Sequence, residues 1–89
     1  MNSGIADKSG QELEVQIIQI LKEERPEIDF ESSSDLVSDG LIDSFEIVML
    51  ITEFEKKFEI NIPGDEIVPE AFATIAAMAN LIRKLRTGG

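Results

Sequence analysis

The chain has 89 residues, 18 acidic against 8 basic, a net charge of −10, and neither cysteine nor histidine. That length allows one domain with a modest core, and the composition removes disulfides, thiolate chemistry, the commonest zinc ligands and the usual general base. The charge disfavours nucleic acid and anionic membranes as partners and favours basic protein surfaces. Any covalent chemistry has to come from a prosthetic group or a partner enzyme, so no catalytic residue and no metal ligand is assigned.

Residues 1–8 are polar and read as a flexible N-terminus without the basic start and apolar stretch of a signal peptide. Ser9-Gly10-Gln11-Glu12 reads as a capping box that opens a first helix, with Leu13, Ile17, Ile20 and Leu21 at helical spacing. Pro26 pushes Arg25 out of the α region, which predicts an end near Glu24. The connection from Arg25 to Asp43 is long for a structureless loop. It is strongly acidic, and Phe30, Leu36, Val37, Leu41 and Ile42 are spaced along it as candidate anchors to the core. From Glu27 to Glu46 the chain carries seven acidic residues and no basic one.

A second helix is predicted over Ser44 to Phe58, where Ile47, Leu50, Ile51, Phe54 and Phe58 fall on one stripe and Asp43 and Glu46 stand as a capping box. Pro69-Glu70-Ala71-Phe72 suits one short helical turn with proline first. Thr74 is the expected N-cap of a last helix that turns Ile75, Met78, Ala79, Ile82 and Leu85 inward and places Arg83, Lys84 and Arg86 near its negative end. Residues 87–89 read as a flexible C-terminus, leaving a single domain over 9–86. The fold class is all-α: a small bundle of three main helices plus one short helix, with a long loop after the first. The longest apolar runs are five residues, which predicts a soluble cytoplasmic protein without membrane insertion.

The chemistry concentrates in Asp39-Gly40-Leu41-Ile42-Asp43-Ser44-Phe45. A serine at the start of a helix, just after a glycine turn, presents an exposed hydroxyl. A phosphate ester there meets free backbone N–H groups and the positive end of the helix dipole. An arbitrary Asp-Ser pair at such a place does no more than cap the helix.

This stretch resembles the acyl carrier protein family, whose signature is Asp-Ser followed by an apolar residue, usually after glycine and two apolar residues. The resemblance runs from the first helix through the acidic loop to Phe58-Glu59-Ile60-Asn61-Ile62-Pro63 and the closing Thr74-Ile75 helix. It implies that Ser44 accepts a 4′-phosphopantetheine arm from coenzyme A, that a phosphopantetheinyl transferase with bound magnesium installs it, and that Asp43 helps to position the transferase or its metal. The arm would carry acyl or aminoacyl thioesters between an activating ligase and downstream acyltransferase or synthase enzymes acting in trans on a monomeric carrier.

Phe45, Glu46, Val48, Met49 and Thr52 lie beside Ser44 as a candidate partner surface, with Val48 equally suited to finishing the core. Met49, Lys56 and Lys57 stand where fatty-acid carriers are usually acidic, and Pro69-Glu70-Ala71-Phe72-Ala73-Thr74-Ile75 looks more like the aminoacyl and D-alanyl carriers. An amino-acid cargo is therefore an expectation beside fatty acyl and polyketide cargo.

Three other classes fit parts of the sequence. An unmodified helical interaction module would share the fold. Asp35, Asp39, Gly40, Ile42 and Glu46 match positions of a calcium-binding EF-hand loop, but Val37 lacks a side-chain ligand and Glu24-Arg25-Pro26-Glu27 is a poor entering helix. The ending Arg86-Thr87-Gly88-Gly89 resembles a ubiquitin-like modifier, whose sheet the helical periodicity does not support.

Overall fold

The computed structural model describes the backbone of residues 3–30 and 33–88 and the side chains of residues 12–30 and 33–86. Among the described residues four α-helices follow one another: α1 (Ser3–Glu24), α2 (Ser44–Phe58), α3 (Pro69–Phe72) and α4 (Ile75–Gly88), with a 3-10 turn at Gly64–Glu66. No strand occurs among the described residues. The sheet of a ubiquitin-like modifier is absent from them.

Each apolar stripe turns inward as its spacing requires. Leu13, Ile17, Ile20 and Leu21 of α1 are buried against Met78, Ala79, Leu81 and Ile82 of α4, and this pair forms the most extensive helix contact. Leu50 and Phe54 of α2 close the core, with Ile47, Ile51 and Phe58 half-buried beside them. Phe54 and Phe58 meet as tilted rings with centroids 6.0 Å apart. Phe72 of the short α3 is fully buried, so one turn of helix is anchored by one aromatic side chain worth about 2–3 kcal/mol of burial.

Two helix ends differ from expectation. α1 starts at Ser3, so Ser9 lies inside the helix and does not cap it. No proline interrupts residues 3–24, and once a helix is nucleated each added residue costs little, so a marginal cap signal does not stop its extension. α4 stays helical through Gly88, because a glycine weakens a helix by about 1 kcal/mol without ending it. Gly89 lies outside the described residues. The other boundaries agree with the sequence: α2 runs from Ser44 to Phe58, and Thr74 caps α4 by accepting from the Ala77 N–H at 2.9 Å.

The long connection is built as one capped helical turn. Asp35 Oδ1 accepts from the N–H groups of Val37 and Ser38 at 3.1 and 2.9 Å, opening the turn. At its end the Gly40 N–H donates to Val37 O and the Leu41 N–H to Leu36 O, the paired bonds of a Schellman motif. That motif needs a left-handed residue, and Gly40 supplies it with φ +77°. The turn is fastened by the Leu36 N–H, which donates to Ala73 O at 2.7 Å. Buried Phe30, Leu36 and Ile42, with half-buried Val37 and Leu41 packed on them, hold it to the helices.

Candidate functional site

The turn delivers the chain to Asp43 in an extended conformation, from which it enters α2. Asp43 Oδ1 accepts from the Glu46 N–H at 2.9 Å, and Glu46 Oε1 reaches back to the Asp43 N–H at 3.4 Å. This is the expected capping box, with its return bond long and weak. The Ile47 N–H is taken by the Asp43 carbonyl. Among the described residues, the Ser44 hydroxyl and the N–H groups of Ser44 and Phe45 have no hydrogen-bond partner. An exposed hydroxyl thus stands at the first residue of a helix whose two leading N–H groups are open to an anion.

The neighbours separate into two sets. Phe45 and Val48 are 70% and 61% exposed, and Thr52 is exposed with its hydroxyl donating back to Val48 O at 3.2 Å. Val48 therefore stands on the surface and does not complete the core. These residues recur at helical spacing and form one outward stripe next to Ser44. Glu46 and Met49 are half-buried along the inner edge of that stripe. The Glu46 side chain is 15% exposed, and Met49 lines a pocket with Leu21, Phe30, Ile42 and Leu50 between the end of α1 and the start of α2.

Arg25 also lines this pocket, and no local sequence pattern marks it. Its Nη1 donates to Glu46 Oε2 at 2.9 Å and its Nε to Glu27 Oε2 at 2.8 Å. The two carboxylates hold its proton more tightly than in an ordinary arginine, chiefly through the side-chain bond to Glu27 and then that to Glu46. The only sequence signal for this role is that Arg25 is the last basic residue before the acid-only stretch.

The residues spaced like a calcium loop have other duties. Asp35 and Gly40 open and close the turn, Asp39 accepts from the Ser33 hydroxyl, and Glu46 pairs with Arg25. The helix that should precede such a loop ends at Glu24, well short of Asp35.

Comparison with known families matches residues 11–82 to the phosphopantetheine attachment site family. The match spans most of the chain, and the protein belongs to this family of carrier domains, with 4′-phosphopantetheine as its covalent cofactor. No curated protein and no solved structure matches the chain at a significant level. The site fits the group: an exposed serine hydroxyl supplies an ester oxygen, and open N–H groups at the helix start favour a phosphodiester. The family implies a phosphopantetheinyl transferase and biosynthetic enzymes as partners. No helix among the described residues is long and apolar enough to cross a membrane.

Proposed function

We propose that Ser44 is the residue that receives the 4′-phosphopantetheine arm, and that the protein is a cytoplasmic, monomeric carrier of acyl or aminoacyl intermediates with no catalytic activity of its own. The observation that carries this reading is the exposed Ser44 hydroxyl at the first position of α2, next to Asp43 and two open N–H groups. Ser44 Oγ forms the phosphoester bond as the pyrophosphate of coenzyme A breaks; 3′,5′-adenosine bisphosphate leaves and the hydroxyl proton passes to the transferase. The bound arm supplies a terminal thiol for thioester formation, the nucleophile that a chain without cysteine lacks.

Asp43 caps α2 through one carboxylate oxygen, and its exposure leaves it accessible to the transferase or its metal. Phe45, Val48 and Thr52 form the face offered to partner enzymes, an activating ligase first and an acyltransferase or synthase after it. Glu46 and Met49 sit at the inner edge of that face. The test is to incubate the protein with coenzyme A, magnesium and a broad-specificity phosphopantetheinyl transferase and weigh it intact. Uptake of one arm by the wild type and none by Ser44→Ala is expected. No mass gain would favour the unmodified interaction module, and a gain that survives Ser44→Ala would move the attachment elsewhere.

A further inference from the structure

The phosphodiester of the arm is charged, but the rest of it is neutral: paired methyl groups, a hydroxyl, two amides and a terminal thiol. To rest on the protein, such a chain needs apolar surface and acceptors for its N–H groups. Between the acidic turn and α3 lies an open groove of about 280 Å³, lined by Asp35, Val37 and Ser38 on one side and by Pro69, Glu70 and Ala73 on the other. Val37 and Ala73 are half-buried there, and Pro69 is exposed. None of these residues belongs to α2, so the groove is separate from the Phe45 and Val48 stripe.

Short links tie the groove to Ser44. Leu36 O accepts from the Ile42 N–H at 3.1 Å, two residues before Ser44, and the Leu36 N–H donates to Ala73 O at 2.7 Å. Ala73 therefore lies at most about 18 Å from Ser44. The main chain of the arm has the bonds of an extended peptide of nearly five residues, a reach of roughly 17 Å. A tethered group whose reach matches the span binds at high effective concentration, so a shallow groove suffices.

The groove also offers open polar groups. Neither the Ser38 hydroxyl nor the Glu70 carboxylate has a hydrogen-bond partner among the described residues. A carboxylate accepts from an amide N–H more strongly than a neutral oxygen does. Another groove of about 280 Å³ lies beside α1 and the start of α4, but its hydroxyls are engaged: Ser33 donates to Asp39, and Thr74 caps α4. The pocket lined by Arg25 and Met49 holds about 10 Å³, room for one water-sized group.

We propose that the groove between the acidic turn and α3 is a resting site for the chain's own pantetheine arm. Val37, Pro69 and Ala73 offer apolar surface to its methyl groups, and Ser38 and Glu70 offer acceptors to its amide N–H groups. The inference rests on Ser44 being the acceptor.

The experiment uses the full chain, labelled with ¹³C and ¹⁵N and loaded with an unlabelled arm by the transferase, with NMR spectra compared before and after loading. Cross-peaks from the arm methyl groups to Val37 and Ala73 are expected, with amide shifts over 35–38 and 69–73. Glu70→Ala should weaken the cross-peaks about two- to fivefold, the change in occupancy expected when one exposed hydrogen bond is lost. Ser38→Phe, which fills the groove from the turn, should abolish them and provides the test if Glu70→Ala disturbs α3.

Shifts confined to the neighbours of Ser44 would overturn the proposal. So would arm contacts with Phe45 and Val48, or with Ile18 and Ile75 of the other groove, in place of those with Val37 and Ala73. Cross-peaks indifferent to both substitutions would overturn it too. A chain that takes up no arm, or takes it up elsewhere, would remove the Ser44 reading and this inference with it. An arm on Ser44 without groove contacts removes this inference alone.

Discussion

The N–H of Leu36 donates to the carbonyl of Ala73 at 2.7 Å, joining the long acidic connection to the break between α3 and α4. This bond and the burial of Leu36, Ile42 and Phe72 fix where the chain can enter α2, and therefore where Ser44 is presented. Leu36→Ala should cost about 2–4 kcal/mol, the usual loss for truncating a buried leucine. In a domain of this size that is a large part of the total. Urea unfolding should show it, and the surviving folded fraction should be modified more slowly by the transferase.

Two left-handed backbone positions predict shifts of opposite sign. Gly40 has φ +77° and open space where a Cβ would sit, so Gly40→Ala should destabilise by about 1 kcal/mol through backbone conformation and not through a clash. Glu59 ends α2 with φ 55° and ψ 50°, a place that favours glycine. Glu59→Gly should stabilise by about 0.5–1 kcal/mol, because the relief of side-chain strain exceeds the added freedom of the unfolded chain. Thermal melts of both variants measure these shifts against wild type.

Asp43 combines a cap with a carboxylate, and two substitutions separate them. Asp43→Ala should lose about 1 kcal/mol of stability together with modification rate. Asp43→Asn should hold the cap and the melting temperature but still be modified slowly, because the negative charge offered to the transferase or its metal is gone. Wild-type modification of Asp43→Asn would limit Asp43 to capping.

Glu27 is held below the ordinary carboxylate range, mainly by its side-chain bond to Arg25. A carboxylate depressed in the folded state adds stability above its unfolded pKa and loses it as pH falls through the folded value. The stability gap between wild type and Glu27→Gln should therefore be present at neutral pH and close on the acid side. Both partners are exposed, so added salt should shrink it as well. Unfolding curves collected from neutral pH down through the carboxylate range check the sign.

How much could be read from the residues depended on whether the deciding interaction was local. α2 was legible to the residue, because the Asp43 and Glu46 pair and the Ile47–Leu50–Ile51–Phe54–Phe58 stripe are short-range patterns that tertiary packing reinforces. The anchors of the loop were legible as isolated apolar residues, but its capped turn was not. Asp35 and Gly40 each looked ordinary until their bonds to Val37, Ser38, Leu36 and Leu41 joined them. The Arg25 to Glu46 pair spans 21 residues and depends on how the loop returns, so no local signal announces it. Ser9 failed as a helix start because a cap is worth about 1 kcal/mol and a sequence without proline can override it. Val48 was ambiguous between core and surface until the position of the loop left it exposed.

The central claim is that Ser44 carries the arm, and other exposed serines in the acidic connection, Ser34 and Ser38, provide an internal control. The most direct measurement is tandem mass spectrometry of the transferase-treated protein after proteolysis, with the modified peptide fragmented to locate the group. The account predicts the phosphopantetheine mass on Ser44 alone and its disappearance in Ser44→Ala. Modification at Ser34 or Ser38, or an unmodified Ser44 in a chain that has gained the arm, would contradict it.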